Sequence, residues 1–511
     1  MQRWVVTAAQ MSQIEARVFA AGMPVAALME KVGGLLSRRI QALYPLGQVR
    51  KVGVLVGPGH NGGDALVIAR ELHLEGYEVR LYQPFSKLKD LTASHAQYAA
   101  SLGIETVPTV EALKDCEVLI DGLFGFGLTR SLTDSIADTI HELNHWSVRL
   151  NRPILSIDLP SGIHTDTGEV LGTAIRATRT FCLGLWKRAF LQDAALSSVG
   201  QAELIGFGLP ETDITAVLEA SPIVQRITPD LLRGTLNRPR HPTTHKYQQG
   251  HLLLIAGSRR YMGAAILAGL AARASGVGML SIAVPESMRS LLIAQLPDAL
   301  VIGCPEGEAG EIAHWPRAME WAGYDAIACG CGLSPEAQTL VEQVLETNLP
   351  LILDADGLNI LANLGTVERL QRRSAPTILT PHPGEFKRLF PAVELGDRIQ
   401  AVQQAASLSG AIVLLKGART AIAHPTGQVW VVPDSTPALA RGGSGDVLTG
   451  LMGGLLAQGV RQGLVEEAIV CAAAGWHAQA GIAAARVRSE AGVDASTLIQ
   501  FLIPPPFDFS I

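Results

Sequence analysis

The stretch Leu439–Gly450, LARGGSGDVLTG, limits what this chain can fold into more than any other part of it. Gly442, Gly443 and Gly445 come directly before an apolar, helix-capable run, DVLTGLMGGLLAQ. Glycines let a backbone turn sharply and bring several N–H groups close to a ligand. The helix behind them points its unpaired N–H groups and the positive end of its dipole at the same spot. The result is an anion cradle with Asp446 at its lip. A carboxylate there is placed to take a proton from a hydroxyl that attacks a phosphoryl group. The dipole is expected to hold its pKa low, so that Asp446 is a weak resting base. A helix entry with an Asp near the N-cap accounts for the same residues, so the motif needs company.

Company lies upstream. Apolar, strand-like runs end in LLKGART (Leu414–Thr420), TPHPGE (Thr380–Glu385) and LDADGLN (Leu353–Asn359). Polar clusters at the ends of β-runs that alternate with helices collect at one rim of a parallel sheet, where open α/β folds bind ligands. LKGxxT followed by GGSGDVLTG resembles the ribokinase-like fold; with TPHPGE, THK and DADGLN added, it is similar to the ADP-dependent NAD(P)H-hydrate dehydratases. That resemblance implies ADP as co-substrate, with Mg2+, and contacts to AMP or ADP from Lys416, Gly417, Ala418, Arg419, Thr420 and Gly445. It assigns Ala264, Gly332, His382 and Asp446 to the hydrated nicotinamide nucleotide, with Asp446 catalytic. Cys331 and Ser334 depart from the family's GPGLG turn, and Tyr247 replaces the glycine after Lys246. His245 and Lys246 are either phosphate contacts or an exposed basic turn.

The chain, at 511 residues, is too long for one ordinary core, and two domains are expected, 1–218 and 225–511. The segment Gly206–Thr228 between them reads as a linker with a short helix. Hydrophobic content of 48% and charged content of 17% describe a core-rich globular protein. A net charge of −6 gives no general attraction to nucleic acid or anionic membrane, so phosphate binding must be local. No uninterrupted apolar run reaches the roughly 18 to 20 residues of a membrane span. The six scattered cysteines suit no disulfide framework, and Cys329 and Cys331 read as small buried residues. A cytoplasmic enzyme that forms a homo-oligomer, with neither nucleic-acid nor membrane partners, is the expectation.

The first half opens as helix, broken at Gly22-Met23-Pro24, and continues as strand, glycine-rich loop, helix and strand through KVGVLVGPGHNGGDALVIARELHLEGYEVRLYQP. Asn61 and Asp64 put a carbonyl oxygen and a carboxylate where a dinucleotide fingerprint has spacers. Asp121 and Asp158 sit where later strands end, on the same expected rim. Oxygen donors from Asn, Asp and Ser suit a hard cation rather than zinc. GHNGGDALV, LIDGLFGFGLTR, SIDLPSGIHTDTG and LGLWKRAF resemble, in order, the blocks of the NAD(P)H-hydrate epimerases, the YjeF N-terminal family.

The resemblance implies a potassium site from Asn61, Asp121 and Ser161. It implies substrate contacts from His60, Asn61, Gly62, Gly63 and Asp64, and from Gly125, Phe126, Gly127, Leu128, Thr129, Arg130 and Ser131. Asp158 is the candidate for proton transfer. His60, Ala65 and Phe126 depart from the family's usual residues. The fold class expected is α/β in both domains: a Rossmann-like three-layer αβα sandwich, then a ribokinase-like αβα domain. Joined, the halves imply a repair enzyme that epimerises R and S hydrates of NADH or NADPH and dehydrates the S form with ADP, releasing AMP and phosphate. The alternative is a ribokinase-like small-molecule kinase fused to a non-catalytic nucleotide-binding module; TPHPGE counts against the first part and Asp158, Asn61 and Asp121 against the second.

Overall fold

Apolar runs bounded by glycine and proline become strands, and the three-to-four-spaced runs between them become helices. The computed structural model describes residues 3–219, 224–237 and 239–503. The chain divides into two units, Met1–Ile223 and Val224–Ile511.

Unit one carries a seven-stranded sheet, all parallel, in the order Glu105–Val107, Glu78–Tyr82, Lys51–Val56, Val118–Gly122, Ile154–Ile157, Arg179–Leu183, Gln201–Ile205. Its central strands are buried at successive positions because helices cover both faces. Val52, Val54 and Val56 pack with the helices Val25–Leu43 and His60–Leu74, while Leu55 and Leu119 pack with Ile140, Leu143 and Trp146 of Asp134–Arg149. The strand order reverses between Lys51–Val56 and Val118–Gly122, and a crevice opens at such a switch point. There Gly62 is a packing requirement: a Cβ on it would lie 1.9 Å from the Gly57 carbonyl oxygen.

Unit two has a ten-stranded sheet whose order switches between His251–Ile255 and Ala326–Cys329. It is not wholly parallel: Ala421–Ala423 runs antiparallel to both Ile412–Leu415 and Val429–Val431. The segment expected to be linker contains the helix Glu211–Leu218 and then the strand Val224–Arg226, which pairs with Val429–Val431 at the sheet edge. Residues 220–223 of that segment lie outside the described ones. Three β-type residues were too short a run to outweigh the prolines around them. The helix Glu466–Arg488 is long and apolar enough to cross a membrane by length and composition, but 72% of its apolar window is buried inside the structure.

The helix Ser444–Gln462 runs across this sheet, its N-terminus at the strands' C-terminal rim. Glycines set how deeply it sits. Gly453 rests on Leu252 and Ala328 of the sheet, and Gly450 and Gly454 meet the helix Met262–Ala274 and the Ser275 that follows it. A Cβ on Gly450 would stand 1.9 Å from the Ala268 carbonyl oxygen, an atom of helix backbone that cannot swing away. Alanine is the better helix former by about 1 kcal/mol. Forcing a methyl into packed backbone costs about 1–3 kcal/mol and more where nothing yields. Gly450→Ala is therefore expected to lower the thermal midpoint of the full chain, and an unchanged or raised midpoint would refute this packing account.

Candidate active sites

In unit two the rim gathers Asp354, Glu385, Lys416 and Asp446. Asp354 ends the strand Leu351–Leu353, and Lys416 follows Ile412–Leu415. The Lys416 Nζ donates to Asp354 Oδ1 at 2.7 Å, and Thr449 Oγ1 donates to Asp354 Oδ2 at 2.7 Å. Glu385 Oε2 lies 4.0 Å from the same ammonium. Burial pulls the Lys416 pKa down, but Asp354 and Glu385 outweigh it and hold it above its usual value. A Cβ on Gly445 would be 3.5 Å from Lys416 Nζ, so this ammonium lies beside the glycine cradle.

The cradle is built as its sequence suggests. Gly443 begins the helix at φ +91°, and a side chain there would strike Leu267 and Ala495. No side chain caps the helix, which leaves the first-turn amides of Gly445 and Asp446 facing the rim. Underneath, His477 Nε2 lies 3.0 Å from the Ser444 carbonyl and so donates to it. Burial drives the His477 pKa down to about 4, so the ring is neutral and braces the first turn without adding charge.

Asp446 departs from expectation. Its pKa is raised to about 6: burial dominates, a hydrogen bond from the Cys331 thiol and the charge of Lys416 oppose it, and Asp354 and Asp356 add repulsion. The rise from 3.8 corresponds to about 3 kcal/mol against the charged form. A helix N-terminus favours an anion by about 0.3–1 kcal/mol, too little to win. Asp446 is thus a stronger base than an ordinary aspartate and still ionised at pH 7. Cys331, read from sequence as a small buried residue, is buried and also touches this carboxylate.

The remaining residues expected at this rim divide. Gly332, at φ +65°, packs on Tyr261 and lies 3.0 Å, from its would-be Cβ, from the methyl of Ala264. His382 Nδ1 accepts from the Gly384 and Glu385 amides at 3.0 and 3.4 Å, capping the helix Pro383–Leu389, and its Nε2 lies 3.4 Å from Glu385 Oε1. Thr420 Oγ1 closes the 417–420 turn on the Gly417 carbonyl at 3.0 Å, with Ala418 and Arg419 at its tip. His245 and Lys246 lie away from the rim. Their turn precedes the strand His251–Ile255, and Gly250 abuts Ala457, eleven residues or about 16 Å down the helix from Asp446. Both are exposed on that turn.

In unit one a cavity of about 420 Å³ opens at the switch point. His60, Asn61, Asp64, Gly125, Phe126 and Asp158 line it, as their strand-end positions suggested. Gly62 and Gly63 are buried behind it. Gly127 to Ser131 are not among its lining: Gly127 donates to Thr165 Oγ1, Leu128 joins the core on the sheet's other face, and Thr129, Arg130 and Ser131 are exposed. The loop turns outward once the Phe126 amide is tied to Asp158. Ala65 lies over Gly122, whose missing side chain makes the room its methyl needs.

Asp158 holds φ +66°, a strained conformation for a non-glycine residue. Three donors hold its carboxylate: the Phe126 amide at 3.0 Å on Oδ2, and the Leu183 amide at 3.2 Å and Lys187 Nζ at 2.5 Å on Oδ1. Lys187 is fully buried, and its ammonium sits 5.6 Å from the Phe126 ring centroid. Burial pulls the Lys187 pKa down, and Asp158 more than restores it. Sequence reasoning missed Lys187, quoting it only inside LGLWKRAF. It also missed the cavity's third wall, Ser12, Glu15 and Phe19 of the helix Ala8–Ala20.

Next to the cavity Asp121 is fully buried and accepts from Ser156 Oγ, the Ser161 amide, Ser161 Oγ and the Leu123 amide. Burial pushes its carboxyl up despite those bonds, and no cationic side chain pairs with it among the described residues. The Ser161 hydroxyl lies 3.3 Å from the Phe124 carbonyl, and the Asn61 Nδ2 is buried without a partner. A buried carboxylate with no cationic partner, beside serine hydroxyls and a backbone carbonyl, is an oxygen-donor set that suits a hard cation. No group of three or more His, Cys, Asp and Glu side chains converges as a metal cage among the described residues.

Both units therefore place buried acid–lysine pairs and glycine-lined helix starts at the C-terminal edge of a parallel sheet, the make-up of α/β enzymes that act on phosphate-bearing small molecules. Residues 25–189 match the family model described as YjeF-related protein N-terminus, and 252–504 the one described as NAD(P)H-hydrate dehydratase. The bifunctional NAD(P)H-hydrate repair enzyme Nnr of Synechocystis sp. is 55% identical over 502 residues, covering 98% of this chain and 94% of the relative. The enzyme of the same name from Thermosynechococcus vestitus is 53% identical over 504 residues, covering 98% and 97%. The crystal structure of ADP/ATP-dependent NAD(P)H-hydrate dehydratase from Bacillus subtilis, co-crystallized with ATP/Mg2+, is 32% identical, covers 55% of this chain and 96% of that one, and gives a TM-score of 0.47. The chain belongs to the family of bifunctional NAD(P)H-hydrate repair enzymes.

Two stability outcomes follow from these charges. An acid whose folded pKa exceeds its unfolded one weakens the fold above the folded value, and the penalty fades as pH falls to the unfolded value. Asp446→Asn should raise the thermal midpoint at pH 7.5, with the gain shrinking between about pH 6 and 4; a variant no more stable than wild type at pH 7.5 would refute the buried-charge reading. Lys187→Ala leaves Asp158 buried without its cation, and should cost about 3–5 kcal/mol in denaturant unfolding of unit one. A loss below about 1 kcal/mol would mean the pair is not doing this work.

Proposed function

We propose that unit two dehydrates the S hydrate of NADH or NADPH at the expense of ADP, and that unit one interconverts the R and S hydrates so that both are repaired. The observation that carries the reading is Asp446, raised to about 6 at an uncapped helix N-terminus with Lys416 alongside. Water added across a nicotinamide ring double bond leaves a hydroxyl that is a poor leaving group. Asp446 takes the hydroxyl proton as its oxygen attacks the terminal phosphorus of ADP, and AMP departs. The phosphorylated carbon then loses phosphate while the neighbouring carbon loses a proton, which restores the double bond. The first-turn amides and Lys416 offset the charge that builds on the transferring phosphoryl group.

Gly417, Ala418, Arg419, Thr420 and Gly445 are assigned to the adenine nucleotide, and Ala264, Gly332 and His382 to the hydrate. With no protein cage at this rim, Mg2+ would arrive on the nucleotide's phosphates, where such ions keep most of their ligands. In unit one Asn61, Asp121 and Ser161 would hold K+, which offsets the Asp121 charge and fixes the loop that carries Gly125 and Phe126. A cytoplasmic enzyme acting on soluble nucleotides fits this reading.

Mixed-epimer hydrate supplied with ADP should return to NADH completely, with one AMP released per hydrate. Recovery that halts at the S fraction, beyond spontaneous interconversion, would show unit one to be inactive. Sugar phosphorylation without hydrate recovery would replace the repair reading with that of a small-molecule kinase. Asp446→Asn should lower dehydration at least about 100-fold while nucleotide still binds.

A further inference from the structure

The helix Ala8–Ala20 turns one face to the cavity of unit one, Ser12, Glu15 and Phe19, spaced i, i+3, i+7. Glu15 is the only titratable residue of the three. The other titratable or charged groups on the cavity wall are His60 and Asp64 from the helix His60–Leu74, Lys89 before the next helix, and Asp158 and Lys187 at the strand ends. Asp158 accepts from three N–H donors, the Lys187 ammonium among them. Lys187 is tied to Asp158 and to the Leu183 carbonyl. Burial, with the negative Asp158 and Glu15, pushes the Asp64 carboxyl well above the ordinary carboxylate range. Burial and Lys89 pull His60 down. Glu15 makes no hydrogen bond or ion pair among the described residues, and burial raises its pKa to about 7, with Lys187 opposing and Asp158 assisting.

We propose that Glu15 is the catalytic acid and base of this cavity, giving and retrieving the proton as a cyclic nicotinamide hydrate changes epimer. The assignment rests on the epimerase reading of unit one. Hydration of an enamine puts the hydroxyl on the carbon next to the ring nitrogen. Epimerisation then needs no redox partner. The nitrogen lone pair forms a C=N bond as the C–O bond breaks, and the Glu15 proton joins the departing hydroxide to make water. Water adds to the opposite face of the same carbon, the C=N electrons return to nitrogen, and the released proton passes through solvent in the cavity to the Glu15 carboxylate. Asp158 and Lys187 are left to position the loop at Gly125 and Phe126. A group whose pKa lies near the working pH serves both halves of such a cycle best.

The test uses the full chain with R-enriched hydrate, following R-to-S conversion above the spontaneous rate. Glu15→Gln should cut kcat at least about 100-fold with KM changed less than about twofold, and Glu15→Asp should restore part of it. The wild-type rate should fall as pH rises through about 7, and the glutamine variant should lose that inflection. S-hydrate dehydration should stay unchanged in both variants, and neither should lower the thermal transition of unit one, which Glu15→Gln should raise at pH 7.5 by removing a buried charge. An active wild type with Glu15→Gln equally active, or a variant that loses KM and the thermal transition together, would overturn the assignment alone. A wild type that leaves conversion at its spontaneous rate would sink the epimerase reading and this assignment with it.

Discussion

Lys187 and Lys416 each sit below the surface with an aspartate against the ammonium, at 2.5 and 2.7 Å. Removing two ions from water costs several kcal/mol apiece, and a close partner with further hydrogen bonds must offset it. Both aspartates have those bonds: two backbone amides for Asp158, the Thr449 hydroxyl for Asp354. Each pair also bridges separate strand ends, Ile154–Ile157 to the segment after Arg179–Leu183 in one unit, Leu351–Leu353 to the end of Ile412–Leu415 in the other. The pairs therefore fix the rims geometrically as well as electrostatically. Replacing either with apolar side chains could leave a stable sheet, but one without a charged floor to its cleft.

The reactive acids are defined by contrast with these pairs. Asp446 and Glu15 lie near the same ammonium groups without being bonded to them, and burial lifts both into the range where a proton can be lost and regained near pH 7. Two carboxylates in one cleft with different partners are thereby given different tasks. On the proposed mechanisms, the one paired with a lysine stays put and the other exchanges protons. Lys416 serves both tasks, because the charge that anchors Asp354 also tempers the rise of Asp446 and stands beside the phosphate cradle.

Much of this was legible in the sequence because strand ends are local features. A buried parallel strand is a short apolar run, and the polar residue that ends it falls on the rim whatever the rest of the chain does. Asp121 and Asp158 could be placed on that ground, and Gly443 and Asp446 from the glycine-rich start of a helix. Lys187 and His477 could not. Lys187 sits in a two-residue strand, Trp186–Lys187, that pairs with Val5–Val6, and His477 in a helix so rich in alanine and glycine that packing accounted for it; only the folded chain brings them under Asp158 and Ser444. Glu15 was hidden for a third reason: it lies off the apolar Met11, Ile14 and Val18 positions of its helix, and only the folded chain shows that Ser12, Glu15 and Phe19 line a cavity. The Asp446 pKa was misjudged because the dipole can be read from a motif, whereas burial depends on what packs over it.

The depth at which Asp446 sits is itself set by residues with no charge. Gly450, Gly453 and Gly454 let the helix Ser444–Gln462 lie against the helix Met262–Ala274 and on the sheet at distances no side chain would allow. A helix held further out would leave its first turn more exposed, and exposure returns a carboxylate toward its ordinary pKa. It would also carry Gly445 away from Lys416, since one ångström is a large error for a group that must meet a transferring phosphoryl. The small residues that sequence reading assigns to packing thus tune the base. On the proposed mechanism, catalytic power at this rim is a property of helix seating as much as of the acid.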